Sequence, residues 1–206
     1  MGEINIMKKL ITWLEDILKI FKYFFLLCFF SIFPSLLEAS ERWVLDKKLS
    51  KIEFELQVLF ARNVQGEFKS IEGFIELDVN EKKNNKAIFS VQVDDIEMNY
   101  IQFKDLLLSN IFFDTEQFPI AVVDTKKFSY TNEKEIKLEV ELTLKGKSEI
   151  VPLTIYITRL AEELVQIQTE LIFSRIKFGI GIGKWSNTSI LKDKVKLKTN
   201  LFLFQE

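Results

Sequence analysis

The chain of 206 residues contains no histidine and a single cysteine, Cys28. Without histidine there is no Ser-His-Asp or Cys-His nucleophile and no histidine-ligated zinc. The side chain that ordinarily switches charge between about pH 5 and 8 is missing as well. One cysteine allows neither an intramolecular disulfide nor a thiolate cluster. An excess of one charge is also lacking: 28 basic residues face 30 acidic ones, for a net charge of −2. No net basic charge therefore points to nucleic acid. What is present is apolar, with 48% hydrophobic residues and twenty phenylalanines. That balance describes a folded globular chain, long enough for one domain and a short appendage. It turns attention from catalysis to apolar binding.

The appendage is N-terminal. Tyr23 to Leu37 form fifteen positions without a charge, preceded by Lys19 and Lys22 and followed by Ala39 and Ser40. A spanning helix needs about 20 apolar residues, so this run is short. A basic flank, an apolar core broken by Pro34 and a small-residue exit predict a secretory signal peptide over residues 1–39, cleaved after Ala39. An uncleaved N-terminal anchor is the alternative, and Met7 is an alternative start to Met1. Cys28 lacks the small preceding residues of a lipoprotein box. Removal of the leader takes four bases and four acids, leaving residues 40–206 free of cysteine. Such a domain is indifferent to an oxidising compartment, and the chain is expected to be periplasmic or secreted.

From Arg42 onward the dominant period is two. Ile52, Phe54, Leu56 and Val58 alternate with Glu53, Glu55 and Gln57, the pattern of a strand with one wet and one apolar face. Similar faces recur at Ile75–Val79, Phe89–Val93, Ile136–Leu142, Leu153–Ile157, Val165–Leu171 and Val195–Leu203, with Thr169 and Thr199 among them. Gly66, Gly73, Asn84-Asn85, Asn132, Lys145-Gly146-Lys147 and Glu162-Glu163 read as turns. About eight short strands predict an antiparallel sandwich or barrel. One helical segment is expected between Asn99 and Phe113, capped by Asn99, with Phe103, Leu106, Leu107 and Phe112 on one face. Pro119 opens the next strand. Alternation alone fits both a solid core and a hollow barrel, and phenylalanines at strand spacing are ordinarily plain core.

Other candidates have simpler explanations. Gly179-Ile180-Gly181-Ile182-Gly183 has the glycines of a phosphate loop, but no helix follows it. A loop or bulge that bends a strand is the better reading. Asp94, Asp95, Glu97, Asp114 and Glu116 lack calcium-loop spacing and read as solvated turn acids. Ser174, Arg175 and Lys177 form a polar cluster without a base to activate the serine. Asn187-Thr188-Ser189 matches a glycosylation acceptor pattern. No catalytic residues and no metal ligands are assigned.

In order, the motifs resemble the YceI-like family. The resemblance runs from Trp43-Val44-Leu45-Asp46 through Ser50–Phe54, Val64-Gln65-Gly66-Glu67-Phe68 and Gly73–Asp78 to Phe112-Phe113-Asp114. It continues with Phe118–Ala121, Leu142–Gly146, Arg175–Gly179 and Gly183-Lys184-Trp185. The resemblance implies an all-β fold over residues 40–206: an extended eight-stranded antiparallel lipocalin-like barrel with one short helical segment. It also implies an apolar tunnel holding a polyisoprenoid lipid or isoprenoid quinone, without another cofactor. A homodimer and a cytochrome b561-type membrane partner are further implications. Asp105-Leu106-Leu107-Leu108-Ser109 stands where many members have a histidine-bearing element, so that branch's head-group contacts are not carried over.

On this reading the inward strand positions become the expected ligand-binding residues: Phe54, Leu56, Val58, Phe68, Phe89, Val91, Leu138, Val140, Leu171 and Phe173. Trp43 and Trp185 are expected to close or line one end. Arg175 either offers its forked guanidinium to a quinone carbonyl or phosphate, or forms a surface salt bridge. The protein is expected to carry or store lipid and not to act as an enzyme. The alternatives are a ligand-free interaction or stress-response module with a solid core, and lipid chemistry by Asp46, Asp105 or Asp114.

Overall fold

The alternating stretches become eleven strands in a computed structural model, which describes residues 40–59, 63–78, 82–132 and 134–206. The expected signal peptide lies outside the described residues. The strands are β1 (Ser40–Leu45), β2 (Lys51–Val58), β3 (Val64–Phe68), β4 (Ile71–Asp78), β5 (Lys86–Gln92) and β6 (Ile96–Met98). After one short helix come β7 (Ile120–Asp124), β8 (Glu135–Leu144), β9 (Lys147–Ala161), β10 (Leu164–Ser174) and β11 (Leu191–Gln205).

Every pairing is antiparallel, and the neighbours follow the order β1-β4-β5-β7-β8-β9-β10-β11-β2-β3-β6. β11 pairs with β1 at its C-terminal end and with β2 along the rest of its length. The pairs β1/β2, β3/β4 and β5/β6 are thus three long strands, each interrupted by a short break. Counted so, the chain is a closed eight-stranded up-and-down barrel, which leaves no long unpaired edge. One end carries residues 82–85, 125–132 and 162–163. The other, called here the upper end, carries 99–119, 145–146 and 175–190.

Two turn assignments are corrected. Gly66 lies inside β3 and Gly73 inside β4, each directly opposite a phenylalanine: Gly66 pairs with Phe54 and Gly73 with Phe89. A Cβ at Gly66 would fall on the Phe54 ring, and one at Gly73 on the Phe89 ring. The glycines make room for rings lying across the neighbouring strand, an arrangement a sequence window cannot distinguish from a turn. Gly73→Val should therefore cost roughly 2–3 kcal/mol through overpacking. Urea unfolding checks this, and an unchanged midpoint would refute the packing argument. At Lys145-Gly146, by contrast, both residues have positive φ (48° and 69°), forming the two-residue hairpin turn expected there.

The helical segment is shorter than expected: a 3-10 turn over Ile101–Phe103, then helix α1 (Lys104–Leu108). Asn99 does not cap it. Its Oδ1 accepts the Gln65 N–H at 3.0 Å and its Nδ2 donates to Asn63 O, so it ties this segment to β3. Phe103 is exposed, whereas Leu106, Leu107 and Phe112 pack inward. The segment sits between β6 and β7, where the sheet lacks a direct strand pairing.

Candidate functional site

Inward side chains form two buried clusters. The first, around Trp43, Ile71, Ile75 and Leu203, lies toward the lower end. The second, around Phe112, Val140, Phe178 and Leu191, lies toward the upper end. Between and along them runs an apolar cavity of ≈ 160 Å³. Its wall reaches from Ala87 and Phe128 at the lower end to Leu144 and Ile180 at the upper end. Inward residues such as Val91, Leu138, Leu153 and Leu197 are only partly covered because they face this lumen. The interior is hollow, and the solid-core alternative is corrected.

Of the expected lining residues, Phe54, Leu56, Phe68, Phe89, Val91, Leu138, Leu171 and Phe173 are on the cavity wall. Val140 is wholly buried within the upper cluster, and Val58 packs against that cluster from its margin. Trp185 is half-buried in a 3-10 turn (Gly183–Ser186), its ring centred 5.8 Å from that of Phe112. Phe112 stands on the wall, so Trp185 backs the upper end without lining it. Trp43 is buried near the β1–β11 seam, with Arg159 over its ring. Val58, Val140 and Trp185 therefore do not line the cavity. Phe112, Phe113, Ala121 and the threonines Thr125, Thr169 and Thr199 were not expected on the wall but belong to it. The two later threonines were legible as members of alternating inward faces. Those of the 99–119 connection were not, because no strand period marks them.

Arg175 stands on the cavity wall. It is fully buried, so it forms no surface salt bridge. Its Nε donates to Lys192 O at 2.9 Å, and Nη1 donates to Ile180 O at 2.8 Å and to Gly181 O at 3.4 Å. Nη2 donates to Trp185 O and Leu191 O, both at 2.7 Å. A guanidinium has five N–H donors, and five carbonyls take them. No donor is left for a quinone or phosphate. Burial pushes the Arg175 pKa down, opposed by the nearby Asp193 carboxylate.

The glycine-rich stretch is the shell around this cation. Gly179, Gly181 and Gly183 all have positive φ (70°, 78° and 63°). A Cβ on Gly181 would come within 2.6 Å of Arg175 Nη1. The stretch is a loop joining β10 to β11, not a bulge in a strand. Lys145 pins the same end by donating to Asn110 O at 2.6 Å and Gly179 O at 3.2 Å. Its pKa is lowered by burial and also by Lys147, with Asp114 opposing. Ser174 donates to Asp193 Oδ1 at 2.7 Å, and Lys177 pairs with Glu149. This polar cluster fastens strands and loops together.

Acidic residues considered for chemistry lie elsewhere. The Asp46 carboxylate accepts the backbone N–H groups of Lys48 and Leu49, closing the β1–β2 turn. Asp95 accepts the Ser70 hydroxyl at 2.5 Å, and Glu97 pairs with Lys69. Neither Asp105 nor Asp114 is on the cavity wall.

Comparison with known proteins agrees with this architecture. The BcnA structure from Burkholderia cenocepacia has a TM-score of 0.70 at 22% identity, covering 77% of this chain and 98% of that one. A polyisoprenoid binding domain from Saccharophagus degradans, implicated in plant cell wall breakdown, has a TM-score of 0.62 at 13% identity, covering 80% and 98%. The YCEI protein of Campylobacter jejuni has a TM-score of 0.58 at 19% identity, covering 73% and 89%. At these identities the likeness is one of fold. No curated protein matches the sequence. The model of the YceI-like domain matches residues 43–203, almost the whole barrel, and the chain belongs to that family.

Proposed function

We propose that the barrel holds the hydrocarbon chain of a polyisoprenoid lipid or isoprenoid quinone and carries or stores it in an exported compartment. The observation behind this reading is the wall itself: apolar along its length, with its one cation satisfied by backbone carbonyls. Family membership and the likeness to a domain described as polyisoprenoid binding support it.

Transfer of the chain out of water supplies the affinity. Each buried methylene contributes about 0.8 kcal/mol, so one five-carbon unit supplies roughly 4 kcal/mol before ordering costs. The cavity of ≈ 160 Å³ compares with the ~150 Å³ void that admits one benzene-sized ring. A longer chain therefore enters as lumen side chains turn aside. Chemistry at the ligand is not part of this reading. Export follows from the predicted leader; a cytochrome b561-type membrane partner would be the source or destination of the lipid, and the barrel would act as a homodimer.

Extraction of the protein purified from the exported fraction, followed by mass spectrometry, tests the proposal. About one prenyl lipid per chain is expected. A monodisperse protein that yields none and takes up no added isoprenoid would refute it.

A further inference from the structure

The polar groups on the cavity wall differ in one respect. Arg175 spends all five donors on carbonyls. Thr169 donates its hydroxyl to Thr154 O at 2.7 Å. Thr125 Oγ1 receives the Ala87 N–H at 2.8 Å and lies 3.0 Å from the Lys126 carbonyl oxygen, to which it donates. The hydroxyl of Thr199 has no partner, and it is the one buried side-chain polar atom of which this is true among the described residues.

Its position is central. Thr199 lies midway along β11 between Leu197 and Leu201, across from Thr169 on β10 and Ile52 on β2. All of these neighbours are on the same cavity wall. Valine has almost the same shape and is well suited to a strand, so packing alone gives no reason for a hydroxyl here. A buried hydroxyl without a hydrogen bond is unfavourable, and such a group calls for an explanation. The oxygen is covered in its present rotamer. Thr199 itself lines the cavity, and one χ1 step of about 120° carries the hydroxyl to the position now held by the methyl group.

We propose that Thr199 is the polar contact of the lumen, hydrogen-bonding an oxygen that the ligand carries into the middle of the barrel. This rests on the lipid-binding reading above and narrows it. The preferred ligand is a prenyl chain bearing a hydroxyl or carbonyl oxygen, with that oxygen inserted and not left at the mouth. A threonine hydroxyl can donate to a carbonyl or accept from an alcohol, so it suits both.

The test uses the full chain with farnesol and farnesene, which share a fifteen-carbon skeleton and differ in the hydroxyl. Competition against a fluorescent apolar probe gives both affinities. The native protein is expected to prefer farnesol by about 2- to 12-fold, the range of one net hydrogen bond. In Thr199→Val the preference should be lost, the ratio falling to about 1 or below because the farnesol hydroxyl then has no partner in the lumen. Thr199→Ser should retain it, and serves as the second variant if the valine protein does not fold. The hydroxyl-free Thr199→Val protein should also melt higher than native in the absence of lipid. A preference that survives Thr199→Val, or its absence from the native protein while both compounds bind, would overturn the assignment and leave the lipid-binding reading standing. Failure of the native protein to bind either compound would overturn both.

Discussion

Arg175→Met is expected to destabilise the barrel by about 4 kcal/mol and to loosen the upper end first. The substitution keeps an unbranched apolar stem but deletes every donor that reaches Ile180, Gly181, Trp185, Leu191 and Lys192. Several carbonyls are then left in a site shielded from water, where each unsatisfied group costs roughly 1–3 kcal/mol. Relief from burying a cation offsets part of this, since that burial is itself unfavourable. Against a total stability of about 5–15 kcal/mol, the net loss is large. Arg175→Lys should recover little: an ammonium has three donors around one nitrogen and cannot span the five carbonyls. Denaturant unfolding gives the magnitude. Hydrogen exchange should show protection lost over residues 176–190 before it is lost from β8–β9. A methionine variant within 1 kcal/mol of native, with the loop still protected, would show that the guanidinium does not organise this end.

Filling the lumen should separate binding from folding. Leu138 on β8 and Ala121 on β7 both face the cavity and are only partly covered. Leu138→Trp or Ala121→Phe places a ring in a space of ≈ 160 Å³. If that ring displaces only two ligand methylenes, about 1.6 kcal/mol of transfer energy is lost, more than a tenfold reduction in affinity. Stability should hold or rise, because added atoms meet a void. A solid interior would respond in the opposite way, with overpacking costing about 1–3 kcal/mol. Lipid recovered by extraction and the denaturation midpoint, measured on the same variants, give the answer. Unimpaired lipid retention in both would remove these residues from the ligand's path.

Much of this architecture is legible along the chain. Alternation in residues 51–58 and 195–203 identifies strands and their apolar faces, because side chains in a strand point to opposite sides with period two. The Lys145-Gly146 turn and the eight-strand count follow the same local rules. Gly66 and Gly73 mislead for an equally physical reason. Their function is to leave room for a ring on the adjacent strand, and the glycine alone carries no trace of that ring.

The division between void and packing is not local either. Val140 and Leu138 share one inward face of β8, yet the first is enclosed by the upper cluster and the second borders the cavity. Which occurs depends on how the 99–119 and 175–190 connections fill the upper end. The sequence by itself determined the strands, their inward faces and the absence of histidine chemistry. Only the tertiary structure decided that the interior is hollow, that Arg175 is spent on backbone carbonyls and that the Thr199 hydroxyl is left without a partner. Each of those depends on atoms brought together across the barrel by closure, which no periodicity along the chain encodes.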